Sequence, residues 1–172
     1  LRARGFTLIE LMTVILILGI LAAVALPRFN NAAAASRSAA VNGLAGSVNS
    51  ALGLVRAITA VEGPGTAGTQ AGITYVTMDT VQIRVWNGYP DRWCDGVGLT
   101  QVGSTVPSGG CYLSTAAVPS TTFTFYGYGN GMIPNGDAGW RIETAPAPMN
   151  CAVEYNYGGS GVPVVTAYTS GC

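Results

Sequence analysis

Residues 6–26 read FTLIELMTVILILGILAAVAL, an apolar run broken by one charge, Glu10. As a helix rising ~1.5 Å per residue, the run covers about 31 Å, close to the hydrocarbon thickness of a bilayer. Arg2 and Arg4 precede it. The positive-inside rule then keeps the N-terminus cytoplasmic and exports the chain beyond Pro27. A secretory signal has a shorter apolar core and a small-residue cleavage site, which AAVALP could be stretched to supply. Here the run continues into a further helical pattern, which fits a membrane anchor better. Neither plain reading explains Glu10. A carboxylate inside a membrane helix is costly unless it finds a partner or reaches the interface, so it marks a functional position.

The residues around that carboxylate carry a family resemblance. Gly5-Phe6-Thr7-Leu8-Ile9-Glu10-Leu11 resembles the processing and methylation motif of type IV prepilins. The resemblance implies that Leu1 to Gly5 is a leader cut after Gly5 by a prepilin peptidase. It implies that Phe6 becomes the N-terminus and is N-methylated. It also implies that Glu10 pairs with the amine of Phe6 on a neighbouring subunit during assembly. Positions 6 and 10 share a helix face, so pairing inside one chain is open as well. A desolvated pair of this kind is better suited to setting register than to adding stability.

Pro27 removes a backbone hydrogen bond from the helix, and Gly19 weakens it. The resemblance implies that the stretch from Gly19 to Pro27 melts in assembled filaments. From Arg28 to about Ala60 the chain is Ala-rich. Val41, Leu44, Val48, Leu52, Val55 and Ile58 recur at steps of three and four, which is one helical face. Gly63-Pro64-Gly65 ends the pattern, and 63–72 reads as a loop. Strand candidates follow at 73–78, 81–87, 121–128, 139–144, 151–157 and 162–168, rich in Thr, Val and aromatic residues. The expected fold is α+β: one long N-terminal helix packed on an antiparallel sheet head, the type IV pilin fold. The expected parts are a leader (1–5), a membrane or filament-core helix (6–28), an amphipathic spine (29–62), and a loop plus sheet head (63–172).

Downstream, Asn87-Gly88-Tyr89-Pro90 and Val41-Asn42-Gly43-Leu44 resemble segments of pilins of the mannose-sensitive haemagglutinin type. The four cysteines, Cys94, Cys111, Cys151 and Cys172, form no CxxC pair. Their exported position favours two disulfides. Three connectivities are open; sequential pairing closes the shortest loops and is the expected one. The span from Cys151 to Cys172 resembles the disulfide-bounded terminal loop of type IV pilins.

Composition excludes several functions. Histidine is absent, so Ser-His-Asp triads, Cys-His pairs and His-ligated zinc are excluded. The cations are eight scattered arginines, without the basic stripe that nucleic-acid binding needs. Asp91, Asp95 and Asp137 could in principle act as acid and base or hold calcium, but EF-hand spacing is missing. Turn and solvent roles are expected for them, with no metal or cofactor. The loop Gly127-Tyr128-Gly129-Asn130-Gly131 lacks phosphate-loop spacing and lysine.

The expected function is that of a non-enzymatic structural subunit, polymerising through its N-terminal helix into a filament for attachment and motility. Its expected partners are copies of itself, the inner membrane before assembly, the prepilin peptidase, the assembly machinery, and a surface or glycan receptor. The expected location is the inner membrane as precursor and then the extracellular pilus. The alternatives are a pseudopilin of a type II secretion system and a membrane-tethered periplasmic enzyme.

Overall fold

The computed structural model describes residues 7–101, 106, 111, 117–119 and 122–172. One helix, α1 (Leu8–Val61), includes both Gly19 and Pro27. Tertiary contacts divide the chain into two compact units, residues 1–36 and residues 37–172.

In the first unit, the described apolar side chains of the helix face outward. Leu8 is 76% exposed, and Leu11, Ile15, Leu18 and Leu21 are similarly bare. The segment Leu8–Ala25 is long and apolar enough to cross a membrane. A helix apolar all round suits lipid or a packed core of other helices, since no face is reserved for water.

In the second unit, Val41, Val48, Leu52 and Val55 of α1 are buried, with Leu44 and Ile58 half-buried beside them. Each fully buried valine or leucine contributes roughly 1.5–3 kcal/mol relative to exposure. The stripe from Val41 to Ile58 runs about 26 Å at the helical rise, longer than one short-stranded sheet can cover. Two antiparallel sheets share it, where one had been expected. The first comprises β1 (Thr66–Ala67), β2 (Ile73–Met78), β3 (Val81–Trp86) and β4 (Tyr89–Pro90), in that order. Its Val76, Ile83 and Val85 pack with Val55. The second comprises β5 (Ala117–Pro119), β6 (Thr124–Tyr126), β7 (Ala138–Arg141), β8 (Ala152–Asn156) and β9 (Val164–Tyr168), also in order. Its Phe125, Trp140, Val153 and Tyr155 share a core with Val41, Val48 and Leu52.

The strands differ from their expected spans in places. β6 occupies three residues of the expected 121–128, and β1 lies inside the span read as loop. β1, β4 and β5 are too short to register as periodic segments. Two-residue turns close two of the hairpins of the first sheet, β2–β3 and β3–β4. Asp79 and Thr80 join Met78 to Val81, and Asn87 and Gly88 join Trp86 to Tyr89, all four at positive φ. That is the arrangement that matches the twist of paired strands, and Asn-Gly is its preferred sequence. At Gly88 the backbone also comes close to the helix: a Cβ there would sit 2.3 Å from Arg56 Nη1.

Candidate functional site

Residues 1–6 lie outside the described residues, so the expected cleavage site at Gly5 and the methylated Phe6 do too. The described chain begins at Thr7. Thr7 Oγ1 accepts from the Glu10 backbone N–H at 3.3 Å, and the Glu10 carboxylate accepts from Thr7 N–H at 3.5 Å and from Thr7 Oγ1 at 3.4 Å. This is a capping box, in which the first helical turn satisfies its own orphan donors. The Glu10 carboxylate is thus hydrogen-bonded within its own turn, while its expected pairing with the amine of Phe6 lies outside the described residues. The signal, Thr followed three residues later by Glu, stood in the sequence.

A second polar constellation lies in the head. Asp91 had been assigned a turn or solvent role, yet it is only 2% exposed. Its Oδ2 sits 2.8 Å from Arg84 Nε, and its Oδ1 accepts from the Arg92 backbone N–H at 2.8 Å. Asp95 Oδ2 lies 4.0 Å from Arg84 Nη1, and Arg84 Nη2 donates to Gln70 Oε1 at 2.8 Å. Burial pushes both carboxyls above the ordinary range; Arg84 opposes this at each, as does the Arg92 N–H at Asp91. One guanidinium thus serves two carboxylates. No group of three or more metal-ligating side chains occurs among the described residues.

Asp137 is likewise buried and not a solvent residue. Its Oδ2 accepts from Asn156 Nδ2 at 2.5 Å. Glu154 beside it accepts from Asn135 Nδ2 at 2.8 Å and from the Tyr168 hydroxyl at 2.6 Å. Burial first, and then the hydrogen bond to Glu154, push the Asp137 carboxyl up. A pair of neighbouring carboxyls hydrogen-bonded this way favours retaining a proton.

Disulfides join Cys94 to Cys111 and Cys151 to Cys172. Two hydrogen bonds tie the segment between Cys151 and Cys172 to residues 86–87 at the end of β3. Asn87 Nδ2 donates to Gly159 O at 2.7 Å, and the Tyr157 hydroxyl donates to Trp86 O at 2.9 Å. The Asn-Gly-Tyr-Pro segment therefore has a structural duty: its turn ties the helix, through Arg56 and Tyr89, to the terminal loop.

Comparison with known proteins bears on the N-terminal segment. Residues 1–26 match the family described as the prokaryotic N-terminal methylation motif. The chain is similar to the type IV narrow pilus major component PilA5 of Thermus thermophilus, with 52% identity over 50 residues. That match covers 29% of this chain and 43% of the relative, so the chain spans less than half of that relative's length. No solved structure matches the chain at a significant level. The motif and the relative support a type IV pilin; neither confirms the narrower resemblance to the mannose-sensitive haemagglutinin type.

Proposed function

We propose that this chain is a structural subunit of a type IV pilus, held in the inner membrane by α1 and then assembled into an extracellular filament. The observation that carries the reading is the N-terminal segment: a methylation motif at residues 1–26 overlapping a helical stretch, Leu8 to Val24, whose apolar side chains are exposed among the described residues. A surface so apolar requires lipid or copies of itself. Polymerisation exchanges the first environment for the second, and the chain performs no chemistry in doing so. Cutting after Gly5 removes Arg2 and Arg4 and creates a cationic amine near Glu10, which sets the register between staggered helices. The stretch from Gly19 to Pro27 is the compliant part of the filament helix. The head, displayed outward, serves attachment.

The experiment is the mass of the N-terminal peptide from material sheared off the cell surface. An N-methylated Phe6 as first residue supports processing, export and assembly together. A chain found only in the membrane fraction with Gly5 still attached overturns the reading.

A further inference from the structure

The loop 127–137 joins β6 to β7 and carries Met132 near its middle. Met132 is 43% exposed, and a Cβ built on the neighbouring Gly131 would meet nothing within 4 Å. The residue thus lies open to small solutes. It also touches a cation. Arg141 Nη1, at the end of β7, lies 3.5 Å from Met132 Sδ and donates to the Met132 carbonyl oxygen at 3.1 Å.

The guanidinium is held independently of the sulfur. Arg141 Nε and Nη2 donate to the two Glu143 carboxylate oxygens at 2.8 Å and 2.9 Å, and the group lies 4.7 Å from the Tyr126 ring centroid. A forked ion pair and a ring face fix its plane, with Nη1 toward Met132. A thioether is only a weak acceptor for so strong a donor. One oxygen on the sulfur removes the mismatch, because a sulfoxide is polar and accepts through that oxygen. The side chain has three rotatable bonds, enough to swing the new oxygen to Nη1.

We propose that Met132 is an oxidation site for peroxides, and that Arg141 receives its sulfoxide and so pins the loop to β7. With hydrogen peroxide, the sulfur lone pair attacks one peroxide oxygen. The S–O bond forms as the O–O bond breaks, and the departing oxygen takes the proton of the transferred one and leaves as water. Sulfur loses two electrons and the peroxide gains them. Methionine oxidation ordinarily loosens structure by adding polarity to apolar packing. Met132 differs because, among the described residues, it is the methionine whose sulfur a guanidinium contacts. Met149 is equally exposed, Met78 is half-buried at the end of β2, and Met12 lies in the apolar run. The inference concerns the head alone and stands whether or not the chain polymerises.

The test uses the full-length chain in zwitterionic micelles, with Met12→Leu, Met78→Leu and Met149→Leu leaving Met132 as the single methionine of the four. These swaps conserve volume. The chain is treated with hydrogen peroxide, and the added oxygen is located by peptide mass. Amide exchange is followed at Gly129, Met132, Gly136 and Asp137, whose N–H groups all bond within the loop. One oxygen at Met132 is expected to slow these amides at least about threefold. Arg141→Leu is expected to abolish the slowing. Met132→Gln presents an amide oxygen at similar reach without any oxidant, and is expected to slow the same amides relative to Met132→Leu. That comparison decides the matter should the Arg141 variant fail to fold. The proposal is overturned if Met132 takes up no oxygen under conditions that fully oxidise Met149 in the parent chain. It is equally overturned if the sulfoxide leaves the amides unchanged or faster, if the slowing survives Arg141→Leu, or if Met132→Gln and Met132→Leu exchange alike.

Discussion

Arg37 Nε donates to the backbone carbonyl oxygen of Cys172 at 2.5 Å, across 135 positions of sequence. The contact fixes the end of the Cys151–Cys172 segment to α1 at the start of the second unit. A hydrogen bond from a charged donor contributes about 1.5–3 kcal/mol. Arg37→Ala is expected to lower the stability of the head by about that amount. The loss should appear first as faster amide exchange in β9, and uniform protection across the head would remove the special role given to this contact.

The capping box makes a prediction at the other end of the helix. Thr7→Ala removes the side-chain cap and is expected to cost about 1 kcal/mol of local helix stability, read as faster exchange in the first turn in micelles. Glu10→Ala is expected to cut filament abundance far more than it cuts the amount of chain in the membrane. Wild-type filament yield from that variant would sink the register role.

The two hairpin turns of the first sheet should respond in opposite directions. Thr80 is β-branched at φ 70, where such side chains are strained. Thr80→Gly is expected to stabilise the head by about 1 kcal/mol in thermal unfolding. Gly88→Ala puts a Cβ at φ 89 and against Arg56, and is expected to destabilise by about 1 kcal/mol or more. Two substitutions of the same sign would show that these turns do not set the register.

Asp137 offers a pH test. Its carboxyl is raised by burial and by Glu154, so the folded chain binds that proton more tightly than the unfolded chain. The stability it contributes is fully present below the unfolded carboxylate pKa and is lost as pH rises through the folded value. Asp137→Asn keeps a donor toward Glu154 and removes the titration. Melting temperatures should therefore favour the variant increasingly as pH rises through that mildly acidic window. Parallel melting curves across it would exclude a raised Asp137.

The N-terminal half of this architecture was legible because its information is local. An apolar run and a helical stripe at positions 41–58 need no distant partner to be read. The Asn87-Gly88 turn carries a signal of the same local kind. The division of the head into two sheets was not, because it depends on how far the buried stripe of α1 extends beyond one sheet. The burial of Asp91 was hidden similarly: its partner Arg84 comes from β3, and the pairing of β3 with β4 brings them together. The Thr7–Glu10 box is a local signal as well, Thr followed three residues later by Glu at the start of an apolar helix.

That box changes how assembly energetics should be framed. The Glu10 carboxylate already holds the amide and hydroxyl of Thr7. A neighbouring cation that reaches it takes part in a swap of partners, and only the difference between the two sets of bonds can drive association. In such a swap the carboxylate exchanges one set of donors for another and is not left bare in an apolar surround.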